Sequence, residues 1–187
     1  MLLLVFLTSL ILYSVHNLLV SIHGRREVSK YMNSKNRLHD VERLLTPIIR
    51  KLTSPNYNFV LVREFNKDSY GCTYKTGISS RMAVIYVKDR LLNIHIRAIF
   101  HEYGHVRTWW LDEILHSSLY LISVSTIVYF GVVGLILLPV IFTLHVQLWI
   151  KLCEWVAFRY EKMLFRKWIY YHKIGGGVGH ATHIQSQ

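Results

Sequence analysis

The chain has only two cysteines, Cys72 and Cys153, in 187 residues. Two thiols without CxxC spacing exclude a disulfide framework and fit free thiols in a reducing compartment. Acids are scarce as well. Asp and Glu number 11 against 22 Lys and Arg, a formal charge of +11. That excess fits a face lying against anionic lipid. A nucleic-acid partner is not expected, because no RNP, zinc-knuckle or recognition-helix signature accompanies the charge. Formal charge is missing entirely from two long stretches, Met1 to Gly24 and Ile114 to Ile150. With a mean hydropathy of +0.26, the chain is more apolar than an ordinary soluble domain. No internal repeat is present.

The first uncharged stretch, "LLLVFLTSLILYSVHNLLVSI", matches the ~20 residues that cross a hydrocarbon layer. A signal peptide would carry a basic region before its apolar run. Here Arg25, Arg26, Lys30, Lys35 and Arg37 all follow it. Residues 1–24 therefore read as an uncleaved anchor, with the N-terminus outside and the following segment cytoplasmic.

The second stretch has 37 residues. As one straight helix it would be about 55 Å long, too long for a single span. Gly131, Gly134 and Pro139 interrupt it near the middle, which predicts a hairpin of two short helices at about 114–150, turning around Gly131–Gly134. Trp109, Trp110 and Trp149 suit the interface at its open end. Lys151, Arg159, Lys162, Arg166 and Lys167 follow, so the positive-inside bias returns the chain to the cytoplasm.

Between these segments the pattern is mixed. Leu38, Val41, Leu45, Ile48 and Leu52 form one apolar stripe, predicting a helix within Arg25–Leu52, kinked or restarted at Pro47. Strands are expected at Phe59–Phe65, Cys72–Gly77 and Met82–Lys88, separated by turn-forming residues. "DRLLN" fits a short helical turn, with Asn93 available to cap a helix from about Ile94 to Arg107. A last helix is expected over Lys151–Tyr171, before a polar, glycine-rich tail. The fold class is an α+β membrane protein: an anchor at 1–24 and a domain over 25–187, interrupted by the hairpin.

The Ile94–Arg107 helix carries "HEYGH". Positions four apart lie on one helix face, so His101 and His105 can each offer an imidazole nitrogen to one ion. Glu102 is turned about 100° from His101, near the ion without ligating it, where it can take a proton from water. With this composition, an HExxH arises by chance with odds of roughly 2 in 100. A catalytic zinc takes three protein ligands and keeps a fourth position open. Thr108 and Leu111 stand where a metzincin has Gly and His, and Asp112 is one residue out of register for HExxHxxGxxD. His116 and His145 lie in the apolar stretch, where helix packing or an interfacial position fits them. Glu154 is the first acid after the hairpin, in "LCEWVAFRYEKM". A hairpin returns the chain to its starting side, so Glu154 is the candidate third ligand. Its alternative is a surface ion pair with Lys151 or Arg159.

The order "AIFHEYGHV", hydrophobic hairpin, "EWVAF" resembles the HtpX and CAAX-prenyl-protease family of membrane zinc peptidases, which are gluzincins. The resemblance covers roughly Val60 to Arg166. It implies a minimal gluzincin domain with one zinc ion on His101, His105 and Glu154, and Glu102 as general base. It also implies that "GCTYKTG" is the edge strand along which substrate lies, with Cys72, Thr73 and Tyr74 contacting it. Tyr74 and Gly77 match that strand, whereas Cys72 replaces an Asn. Phe158 replaces the family's Asp, which supports a metal-binding histidine. Tyr160 and His172 are candidates for stabilising the oxyanion.

The expected function is that of a membrane-bound zinc metalloendopeptidase acting on a protein or peptide at the cytoplasmic membrane surface. Three alternatives stay open. One is a site-2-type intramembrane protease, for which His95, Arg97 and Arg107 make the motif helix too polar. The second is a catalytically inactive basic membrane adaptor derived from such a peptidase, which Phe158 keeps open. The third is a structural membrane protein with a chance motif.

Overall fold

A computed structural model describes residues 1–64, 67–77, 79–88 and 91–174. Its helices are α1 (Leu2–Met32), α2 (His39–Leu52), α3 (Asn93–Arg107), α4 (Trp109–Phe130) and α5 (Val132–Ile174). Its strands are β1 (Phe59–Arg63), β2 (Gly71–Lys75) and β3 (Arg81–Val87). The protein is mostly helical, with one small sheet. Helices α1, α4 and α5 are long and apolar enough to cross a membrane, and much of their large apolar surface is exposed, including Leu7, Leu18, Phe130, Ile136 and Phe142.

The sheet has the order β1-β3-β2. β1 and β3 pair in parallel, with Phe59 opposite Ala83, and β2 joins the other side of β3 antiparallel, with Gly71 opposite Ile85. The apolar runs in β1 and β3 fit strands buried on both faces. On one face Phe59, Leu61, Ala83 and Ile85 pack against Ile96, Ile99 and Phe100 of α3. Leu45 and Ile49 of α2 and Leu164 and Trp168 of α5 close that core. On the other face Val60, Val62, Val84 and Tyr86 pack with Tyr31 of α1.

The two sheet edges are treated differently. On β1, the Leu61 N–H donates to Glu42 Oε1 at 2.7 Å and the Arg63 N–H to the Asn36 carbonyl at 2.9 Å. Glu42 is buried, and Arg37 completes its bonding with contacts of 2.8–3.1 Å. Unpaired, such a carboxylate would cost several kcal/mol. On β2, the Tyr86 N–H donates to the Tyr70 carbonyl. The antiparallel alternation then places Cys72 and Tyr74 in hydrogen-bonded pairs, and turns the backbone groups of Gly71 and Thr73 outward. α1 meets this edge at its Lys75 end. A Cβ on Gly24 would lie 1.9 Å from the Lys75 carbonyl oxygen, so only glycine fits there. Arg25 Nε donates to the Thr76 carbonyl beside it at 2.6 Å.

Several expectations need correction. The Arg25–Leu52 segment is not one helix: α1 continues through the basic residues to Met32, and α2 is separate. The break at Ser34–Leu38 is fixed by backbone pairing to β1, with the Leu38 N–H on the Leu61 carbonyl at 2.9 Å. Pro47 lies inside α2 and Pro139 inside α5, and neither ends its helix. The first strand ends at Arg63, and Phe65 lies outside the described residues. The same holds for Asp89 and Arg90 of the expected turn and for the tail from residue 175. Asn93 is the first residue of α3 rather than its cap. The cap position is Leu92, whose N–H donates to Nδ1 of buried His95 at 2.9 Å. The hairpin turns at Gly131 alone, with φ +56°, a conformation glycine adopts without strain. Gly134 is already helical, and a Cβ there would meet the Thr126 carbonyl oxygen at 2.3 Å. The Lys151–Tyr171 helix is the continuation of the hairpin's second arm as one 43-residue α5.

α3 and α5 meet where Gly104 faces Ala157. A Cβ on Gly104 would lie 2.5 Å from Ala157 Cα, and Ala157 is fully buried. Gly104→Ala is expected to force the helices apart and cost about 1–3 kcal/mol. Thermal unfolding checks this, and a melting temperature equal to wild type would contradict the close contact.

Candidate metal centre

Helix α3 presents His101 and His105 one turn apart, and α5 brings Glu154 to them. His101 Nε2 lies 3.1 Å from Glu154 Oε2, and His105 Nε2 lies 3.4 Å from Glu154 Oε1. Among the described residues, these three form the one group of metal-type side chains whose donor atoms all lie within 4.8 Å of one another. The imidazole rings are 5.1 Å apart and edge-on. Two imidazoles and a carboxylate make a donor set that suits zinc with an open position.

The surroundings of His101 sharpen that fit. Its Nδ1 lies 3.3 Å from Glu161 Oε2. An ionised carboxylate only accepts, so Nδ1 carries the proton. In the neutral ring, Nε2 then presents a lone pair to Glu154. Lone pair facing carboxylate is repulsive, and a cation between them removes the repulsion. Burial holds His105 below the ordinary imidazole range, against the pull of the Glu154 carboxylate. That shift favours the neutral ring, the form that ligates.

Glu161 is the residue that the sequence pattern missed. It is buried, and Arg97 Nη2 and Nε contact its Oε1 at 2.6 and 2.7 Å. It lies two turns beyond Glu154 on the same face of α5, and Arg97 lies one turn before His101. Phe158, where the resemblance leads one to expect an aspartate, is exposed with the Lys162 ammonium 4.4 Å from its ring centroid. The histidine-supporting carboxylate is thus present, from a different turn of the helix.

Glu102 points between α3 and β2. It is 7% exposed, and the Thr73 hydroxyl donates to its Oε2 at 2.7 Å. Burial raises its pKa, while the Thr73 hydrogen bond and His101 pull it down. Gly71 makes room for it: a Cβ there would lie 2.9 Å from Glu102 Cγ. Cys72 and Thr73 line the groove beside Glu102. Burial pushes the Cys72 thiol up, so it is not primed as a nucleophile. Tyr74 does not share that position. Its side chain lies on the opposite sheet face, 3.1 Å from the Tyr86 hydroxyl. The alternation of a strand puts 71 and 73 toward α3 and 72 and 74 away, with Cys72 at the open edge. Tyr160 packs edge-on against Tyr103 in the core. The side chain of His172 lies outside the described residues. Asp112 is paired with Arg81 at 2.9 Å and is not part of the triad.

Two cavities flank the triad. One of about 310 Å³ runs past His105 toward Cys72, Asp112 and Trp149. The other, of about 450 Å³, runs past His101 toward Ile94 and Ala98. Both are lined by Gly71, Glu102 and Glu154, so the groove is open on either side of the centre. Comparison of the chain with protein-family models, curated proteins and solved structures returns no match.

Removing the carboxylate behind His101 is expected to weaken metal binding. Glu161→Ala should lower zinc affinity about 10–100-fold, measured by competition with a chromophoric chelator. Unchanged affinity would show that Glu161 only pairs with Arg97.

Proposed function

We propose that the protein is a membrane-bound zinc metalloendopeptidase of the gluzincin type, similar in plan to the HtpX and CAAX-prenyl-protease family. The observation that carries this is the convergence of His101, His105 and Glu154 beside a buried glutamate and an open strand edge. Zinc in this donor set supplies Lewis acidity toward water and a scissile carbonyl. An extended peptide adds to the outward backbone groups of Gly71 and Thr73. Glu102 takes the proton of the attacking water and passes it to the leaving amine. Thr73 holds Oε2 of Glu102 in place. The groove continues on both sides of the centre, which suits cleavage within a chain rather than at its end.

Two rivals lose ground. The motif helix α3 packs on the sheet and is not among the three helices apolar enough to cross a membrane, which disfavours an intramembrane protease. The adaptor without metal was favoured by Phe158, and Glu161 supplies a carboxylate to His101 in its place. Glu102→Gln is expected to keep zinc and to lose cleavage of an unfolded protein substrate by at least 10²-fold, since an amide does not accept the water's proton. Retained cleavage would refute the assignment.

We place the N-terminus outside and the metal centre on the cytoplasmic side, because basic residues follow both uncharged stretches and none lies in the hairpin turn. Cysteines introduced at Ser34 and Ser186 in a cysteine-free background should both resist an impermeant thiol reagent in intact cells. Reactivity at either site would contradict this topology.

A further inference from the structure

Three other histidines, from three different helices, gather where the hairpin meets the anchor. They are His16 of α1, His116 of α4 and His145 of α5. The His16 and His116 rings are 5.8 Å apart, and those of His116 and His145 6.5 Å apart. The His101 and His105 rings are 5.1 Å apart, so these two pairs are wider by 0.7 and 1.4 Å, and their donor atoms, which do not all lie within 4.8 Å of one another, must draw together by side-chain rotation to meet a ~2 Å metal–nitrogen bond.

Two of the three rings have nitrogens in environments that suit an ion. His116 Nδ1 lies 2.9 Å from the Asp112 carbonyl and 3.2 Å from Asp112 Oδ1. Both are acceptors, so Nδ1 carries the proton, and in the neutral ring Nε2 offers its lone pair. This carboxylate-backed imidazole is the arrangement that orients metal-binding histidines. Asp112 is itself held by Trp149 Nε1 at 2.7 Å and Arg81 at 2.9 Å. His145 Nε2 is buried and has no hydrogen-bond partner. Within an apolar span no water supplies one, and ionisable side chains placed there mark function. The nearby cations are balanced: Lys75 pairs with Glu113 at 2.5 Å, and Arg81 with both Glu113 and Asp112. A dication therefore enters a neighbourhood without excess positive charge.

We propose that His16, His116 and His145 bind a second transition-metal ion, of the zinc class, which clamps the anchor helix to the hairpin. His16 lies nearly parallel to His116, at 19°, and turns about its χ angles to reach the ion. The site does not depend on whether the first centre is catalytic. Its role is to fix α1, which also blocks one end of the β2 edge.

The test uses cobalt(II) and the full-length detergent-purified protein carrying His101→Ala and Glu154→Ala, so that the first centre is disabled. One equivalent of cobalt is expected to bind, with the visible absorption of a tetrahedral site. Adding His16→Phe, His116→Phe or His145→Phe, one at a time, should weaken binding at least tenfold. His145→Cys should retain cobalt and add a thiolate-to-cobalt charge-transfer band, which distinguishes ligation from general loss of fold. The proposal is overturned by absence of cobalt from the parent variant, by binding within tenfold of the parent after any one Phe substitution, or by a His145→Cys variant without the new band.

Discussion

The arrangement rests on how closely α3 and α5 approach. Gly104 has no side chain and Ala157 has one methyl group, so the two backbones come within van der Waals contact. The candidate metal centre is positioned by that contact. Three residues before Ala157, Glu154 comes level with His101 and His105. Four residues after it, Glu161 reaches Nδ1 of His101. A larger side chain at either position would lift α5 off α3 and carry both glutamates away together. A ~2 Å ligand bond tolerates little of such a displacement. The short residues in the two motifs therefore do structural work that the ligands depend on.

The sheet gives the centre its second wall. β1 has its edge groups taken up by Glu42 and Asn36, whereas Gly71 and Thr73 on β2 face outward next to Glu102. One strand thus carries two features: outward backbone groups on Gly71 and Thr73, and a Thr73 hydroxyl that fixes the buried glutamate. α1 limits the open edge by packing Gly24 on Lys75. The apolar helix α1 therefore also has a packing role, because its continuation through Arg25, Arg26 and Lys30 covers one sheet face with Tyr31 and bounds the groove at Gly24.

Much of this was legible in the sequence, for definable reasons. The hairpin announced itself through missing charge and too great a length for one span. His101, His105 and Glu102 followed from helical spacing, and Glu154 from the parity of the hairpin. Glu161 was not legible, because its partner His101 is sixty positions away and the contact depends on how two helices cross. Which side chains of β2 face α3 depends on its register against β3, which pairs Thr73 with Ala83 and Tyr74 with Met82, and a one-residue change would invert every one of them. Pro139 looks like an interruption in the sequence because proline removes a helix hydrogen bond and clashes with the preceding turn. In an apolar hairpin the helix continues on both sides of it. The three histidines on α1, α4 and α5 are scattered through apolar sequence, and only the packing of the three helices brings them together.

Whether His101, His105 and Glu154 hold a zinc ion beside Glu102 can be read from anomalous scattering at the zinc absorption edge from crystals of the detergent-purified protein. A peak is expected about 2 Å from Nε2 of each histidine and from the Glu154 carboxylate. A map with no peak between these three side chains, at full occupancy of protein and with zinc supplied during purification, would contradict it.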